Sequence, residues 1–179
     1  MGGIVTKTMH PHETPEDPND NVHLHLSKKE IVLIRETWSL IKEEGVQGIG
    51  EELFIRLFEV APETFNMFED FAKNPDWVHS HEFTGHCRIV MNFLRGCVQS
   101  LEKEESLGGT LDYIGLKHHG FGITQQQFDT MGVLLLEIMR NHLKEHWSKE
   151  AEVAWGKLYT FMATRIIHKM NFKIPGFEV

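Results

Sequence analysis

The chain has 179 residues, 18 Lys and Arg against 26 Asp and Glu, a net charge of −8, and 41% hydrophobic residues. That length and apolar content suit one domain with a single core, and the acidic balance argues against a nucleic-acid partner, because it repels phosphate backbones. No apolar run approaches the roughly 20 residues that span a bilayer, and no signal-peptide core follows Met1.

Residues 1–26 stand apart from the rest. The stretch "MHPHETPEDPNDNVHLH" holds three prolines and four histidines without apolar periodicity, which is the composition of a disordered arm. With no fold to fix their geometry, His10, His12, His23 and His25 form at most a loose metal-binding group.

Order is expected from Ser27. In "SKKE" the Ser27 hydroxyl and the Glu30 carboxylate make a capping box. Ile31, Ile34, Trp38 and Ile41 then share one helical face, and Gly45 stops the helix. A second helix carries Ile49, Leu53, Leu57 and Val60 and ends before Pro62. "PETFNMFEDF" reads as a proline-initiated turn of helix and an aromatic corner.

"FTGHCRIVMNFLRGCVQSL" is a long helix with His86, Val90, Leu94, Cys97 and Leu101 on its inner stripe. Its two cysteines lie about 15 Å apart at about 1.5 Å rise per residue, too far to pair with each other. They read as reduced thiols of an intracellular protein. Cys97 is a small buried hydrophobe; Cys87, turned off the stripe, is expected to be partly exposed and open to an intermolecular disulfide.

Glu102 to Gly109 reads as a polar loop with a solvated charge cluster at Glu102–Glu105. A shorter helix, about Thr110 to His119, breaks at Gly120 and Gly122. Thr124 and Gln127 form a second capping box, opening a helix with Phe128, Met131, Leu135, Ile138 and His142 on one face. Ser148 caps the last helix, which turns Trp155, Leu158, Met162 and Ile166 inward and finishes before Pro175. No segment alternates with period two for long enough to make a strand. The chain is all-α, with residues 27–171 as the folded domain and 172–179 as a tail.

The chemistry turns on two histidines. Helical spacing puts Leu111 and Ile114 on the face of His118, whereas His119 points about 100° away, toward solvent. His86 lies on the apolar stripe of another helix, among Phe83, Val90 and Leu94. Neither has a carboxylate among its same-face neighbours, so a Ser-His-Asp arrangement and a carboxylate-rich metal site are not indicated. Two imidazoles are too few ligands for tetrahedral zinc. They suit a metal that brings four ligands with a planar cofactor, which is haem, in an apolar, aromatic pocket to which Phe54, Phe68 and Phe71 can contribute.

"LFIRLFEVAPETFNMFEDF", then "TGHCRIV", then "IGLKHHGFGI" resemble a globin, and the likeness runs from about Leu26 to Asn171. The resemblance implies six to eight helices around a pocket for haem b (iron protoporphyrin IX). It implies His118 as the proximal iron ligand, His86 as the distal histidine and iron ligand, and Val90 one turn on. Phe68, after Pro62, falls at the phenylalanine packed on the haem, and Trp38 and Trp155 fall at tryptophan positions of the first and last helices. Phe54, Phe71, Ile114 and Ile123 complete the implied cofactor contacts. "KHHGFGI" before "QQQF", the "AWGKLY" stretch and Phe54 are most similar to neuroglobins and to the animal lineage called globin X, whose members commonly place both histidines on iron. Two departures matter. Cys87 stands where many globins have the glycine of a close helix crossing, with Gly50 as the source of room from the other side. Ile89 replaces a basic residue that often pairs with a haem propionate.

The function so implied is reversible binding of O2, NO and CO, with oxygen binding or transport as its use. The alternative is a redox or signalling haem protein, performing nitrite reduction or NO dioxygenation with a redox partner. Both histidines in place argue against a haem-free interaction module. The location is read as cytoplasmic, peripheral to the inner face of a membrane if Gly2 is acylated. "MGGIVT" matches M-G-x-x-x-[ST] through Gly2 and Thr6, either as a lipidation signal or as a chance match to a short pattern. One myristoyl chain gives a partition constant of only about 10⁴ M⁻¹. No cysteine lies near Gly2, and Lys7 is outnumbered by Glu13, Glu16, Asp17 and Asp20, so attachment should be weak and reversible. Gly2→Ala is expected to lower the membrane fraction of expressing cells and to abolish a myristoyl mass increment at the N-terminus. Equal fractions and an unmodified Gly2 would leave the arm a plain extension.

Overall fold

The computed structural model describes residues 22–171. Among these there are seven α-helices and three short 3₁₀ turns, and no strand. Helix α1 (Lys28–Glu44) opens on the expected capping box. The Glu30 amide donates to Ser27 Oγ at 3.2 Å, and the Ser27 amide donates to Glu30 Oε2 at 2.7 Å. Gly45 ends α1 at φ 113°, donating its N–H to the Ile41 carbonyl. Helix α2 (Val46–Val60) stops before Pro62, which starts a 3₁₀ turn over Pro62–Met67.

A four-residue helix α3 (Glu69–Ala72) and a turn at Trp77–His79 lead to α4 (His81–Gln99), capped by Ser80 Oγ accepting from the Phe83 amide. Helix α5 is Glu104–Lys117, α6 is Gln125–Leu143 and α7 is Lys149–Asn171. The Thr124–Gln127 capping box is present on α6. Ser148 Oγ accepts from the Ala151 amide at the start of α7.

The structure corrects four expectations. Helix α5 begins at Glu104, so Glu104–Gly109 is helical and no loop. Glu104 and Glu105 favour the positive end of the helix dipole, and Leu107, 1% exposed, continues the buried face of Leu111. Gly108 lies within this helix and leaves room for Arg165, since a Cβ there would stand 2.8 Å from the guanidinium Cζ.

The Glu102–Glu105 cluster is not simply solvated. Glu102 pairs with Arg35 at 2.8 Å, and Glu104 accepts from the Leu24 amide at 3.1 Å and meets His23 Nδ1 at 2.9 Å. The arm is accordingly tied down before its expected end: from residue 22 onward Val22, Leu24 and Leu26 pack against the core, alternating with exposed His23 and His25. His10, His12 and Gly2 lie outside the described residues.

Cys87 is wholly buried, as is Cys97. The flank of α4 that carries Cys87 is covered too, because Gly50 of α2 packs against it. Burial pushes both thiols up to about 12, and a buried, protonated thiol is no candidate for an intermolecular disulfide.

The crossing of α2 and α4 confirms Gly50 as the source of room. A Cβ there would lie 2.7 Å from Met91 Cγ and 3.3 Å from the Cys87 carbonyl oxygen. Trp155, fully buried on α7, donates from Nε1 to Thr37 Oγ1 at 2.8 Å and sets α7 on α1.

Glu30 also accepts from Lys157 Nζ at 2.6 Å, joining the cap of α1 to α7. The Lys157 ammonium, with the Ser27 amide and hydroxyl, holds the Glu30 carboxyl down to about 2 from an ordinary 4.5. The folded-state value is the lower one, so this stabilisation is complete above pH 4.5 and lost as pH falls toward 2. Glu30→Gln should cost about 1 kcal/mol near neutrality. In denaturant melts, the gap to wild type should close between pH 4.5 and 2.

Candidate functional site

Helices α2, α4, α5, α6 and α7, with the 62–71 corner, enclose a cavity of about 520 Å³. Helix α2 presents Leu53, Phe54 and Leu57, and α4 presents His86, Val90, Phe93 and Leu94. All eight of the residues singled out from sequence for the cofactor line it: Phe54, Phe68, Phe71, His86, Val90, Ile114, His118 and Ile123.

His118 caps the C-terminus of α5, at φ −96° and ψ 0°. Its Nδ1 lies 2.9 Å from the Ile114 carbonyl oxygen. A carbonyl only accepts, so Nδ1 carries the proton, and Nε2 is left with its lone pair on the far side of the ring. The chain then reverses through Gly120 (φ 85°) and Gly122 (φ 71°), conformations that favour glycine. That reversal returns Phe121 and Ile123 to the cavity wall, with the Phe121 ring edge-on to His118 at 6.2 Å. His119 does not line the cavity. It is exposed, as expected, and its Nδ1 lies 2.7 Å from the Met170 carbonyl oxygen.

His86 approaches from α4. Its ring meets Phe54 at 4.9 Å and Phe68 at 5.0 Å, both edge-to-face, and Phe54 and Phe68 are themselves T-shaped at 5.9 Å. Burial, and then the charge of His118 across the cavity, push the His86 imidazole down to about 4. It is therefore neutral at pH 7. Its donor set is two imidazoles. Among the described residues no group of three or more His, Cys, Asp or Glu is placed to hold a metal ion, so a metal between these histidines must bring its other ligands.

Other lining residues went unassigned in the sequence. Phe128, Met131, Met162 and Ile166 read as inward-facing, but a stripe cannot tell a core from a cavity. Tyr159 gave no signal. It lines the cavity from α7 while its hydroxyl donates to the Phe128 carbonyl at 2.7 Å. Gln127 reaches past its capping role to donate from Nε2 to Thr64 Oγ1 at 3.1 Å, tying α6 to the turn after Pro62. The rim is acidic. Glu69, Asp70 and Glu82 line it, no lysine or arginine does, and Ile89 beside it is 64% exposed.

A family model described as Globin matches residues 51–166. The chain belongs to the globin family. It is similar to the neuroglobin of Dissostichus mawsoni, 31% identical over 140 residues, which is 76% of this chain and 87% of the relative. The neuroglobin of Tetraodon nigroviridis is 32% identical over 138 residues, 75% of this chain and 86% of that one. The crystal structure of a hexacoordinated heme protein from an anhydrobiotic tardigrade, at pH 4, superposes on this globin with a TM-score of 0.74. It covers 83% of this chain and 97% of its own at 18% identity, a likeness of fold. The neuroglobin-like character read from "KHHGFGI" and "AWGKLY" agrees with these relatives.

Proposed function

We propose that this globin binds one haem b and, through it, diatomic gases: O2, NO and CO. The observation that carries this reading is His118, its Nδ1 proton engaged by Ile114, lining with His86 the same aromatic-walled cavity. The residues fit the group. The cavity lies within the roughly 300–1,000 Å³ of small-molecule sites, its walls are apolar, and its two nitrogens complete a metal that arrives with four ligands of its own.

Haem supplies, when bound, an iron that coordinates diatomic gases reversibly. The chain's own residues do the rest. His118 holds the group through Nε2, and the bond to Ile114 fixes the ring and raises its basicity. Phe54, Phe68 and Val90 exclude water. Neutral His86 either ligates iron or donates a hydrogen bond to a bound gas. The hexacoordinate reading has both histidines on iron at rest, so that His86 competes with external ligands and lowers apparent affinity by the open fraction. The shared cavity of His86 and His118 also favours a second reading, redox or NO chemistry in place of oxygen storage. A cytoplasmic location with Gly2 acylated belongs to the same proposal and stands on the "MGGIVT" pattern alone.

His118→Ala is expected to abolish haem retention on a desalting column, while His119→Ala keeps a wild-type absorption spectrum; the reverse pair of results would sink the assignment. In ferrous protein without gas, sharp low-spin bands are expected. His86→Leu should convert them to a high-spin five-coordinate spectrum and speed CO binding by tenfold or more. A high-spin spectrum in wild type would return the protein to pentacoordinate oxygen binding.

A further inference from the structure

A second cavity, of about 390 Å³, lies on the outer face between α1 and α4, lined by Arg35, Trp38, Ser39, Lys42, Arg95 and Gln99 beside Val98. Its α1 residues recur at spacings of three and four, and so do its α4 residues, so two facing helical stripes make its walls. Trp38 and Val98 are its buried floor, and Arg35, Lys42, Arg95 and Gln99 stand exposed around it. Three cations converge here, in a chain of net charge −8, and no carboxylate lines the cavity.

Arg35 is partly neutralised by Glu102 at 2.8 Å, through a single nitrogen, so its remaining N–H groups stay available. Lys42 and Arg95 make no ion pair among the described residues. The Trp38 indole Nε1–H is buried and has no acceptor among the described residues.

We propose that this pocket binds the phosphate group of an anionic ligand, with Lys42 and Arg95 as its counter-charges and Arg35, Ser39 and Gln99 as further donors. Two unpaired cations match the charge of about −1.5 to −2 on a phosphomonoester near pH 7. A carboxylate would leave one unmatched. The planar fork of Arg95 suits bidentate contact with two phosphate oxygens. The cavity is larger than one phosphate needs, leaving space for the group esterified to it. That group belongs either to a free phosphorylated small molecule or to a phospholipid headgroup.

The experiment uses the full-length holoprotein. Inorganic phosphate is titrated at constant ionic strength, with acetate as control, while the Trp38 indole N–H resonance is followed by NMR and assigned through Trp38→Phe. In parallel the protein is sedimented with phosphatidylcholine vesicles with and without phosphatidic acid. Lys42→Gln/Arg95→Gln changes two exposed side chains that do not line the haem cavity and should leave the absorption spectrum unchanged.

A saturable Trp38 shift with phosphate, weakened tenfold or more in the double variant, supports the site as one for a soluble phosphorylated ligand. Sedimentation with phosphatidic acid vesicles that the double variant loses supports a headgroup instead. The proposal is overturned by no saturable shift together with no vesicle binding, or by wild-type binding in the double variant.

Discussion

Helix α5 lies so close on α7 that a Cβ at Gly115 would stand 2.6 Å from the Ile166 carbonyl oxygen. The position of His118 depends on this crossing, because that histidine ends α5 three residues beyond Gly115. Register along the crossing is held by Asp112 and Arg165, whose two hydrogen bonds, at 2.8 and 3.2 Å, form a fork-to-fork pair. Gly108 is bare so that the guanidinium can lie against it. Helix α7 is in turn set on α1 by Trp155 and Thr37, and on α6 by Tyr159 and the Phe128 carbonyl. A methyl at Gly115 would push α5 outward, and strain of that kind costs about 1–3 kcal/mol. It would displace the His118 imidazole with it.

The His86 side of the cavity is built in the same way. Gly50 lets α2 approach α4 at Cys87 and Met91, which brings Phe54 onto His86 one residue along α4. Each histidine is thus placed by a helix crossing that only glycine permits, and the gap between the two imidazoles is a property of the scaffold. Local sequence around either histidine does not set it. Interiors transmit such displacements because they are packed to crystal density.

This division explains what was legible in the sequence. The capping boxes at Ser27 and Thr124 are complete within four residues, and the structure has both. The inward turn of His118 and the outward turn of His119 follow from helical pitch alone. The start of α5 was not legible, since acidic residues followed by Gly108 and Gly109 have the composition of a loop, and the side chain that requires glycine at Gly108 is Arg165 on α7. Burial of Cys87 was missed for a related reason: a residue off one apolar stripe can face a second helix. Likewise Glu104 looked solvated until the chain from Val22 folded back onto it. Features closed by neighbours in sequence can be read there; those closed across the fold cannot.

Charge is distributed as unevenly as packing. Glu69, Asp70 and Glu82 face the mouth of the haem cavity without a lysine or arginine among the lining residues, and exposed Ile89 adds no cation. Carboxylates at such a rim stabilise positive charge on a centre held inside, and the low dielectric of the cavity wall strengthens their effect over that in water. Ferric iron carries one more positive charge than ferrous iron, so on the proposed reading this field favours the ferric state. On the same reading, two imidazole ligands would also leave iron free to cycle between the two states. On the proposed reading, rim and histidine pair would therefore act in the same direction, away from a store that must keep its iron ferrous and toward electron exchange or NO chemistry.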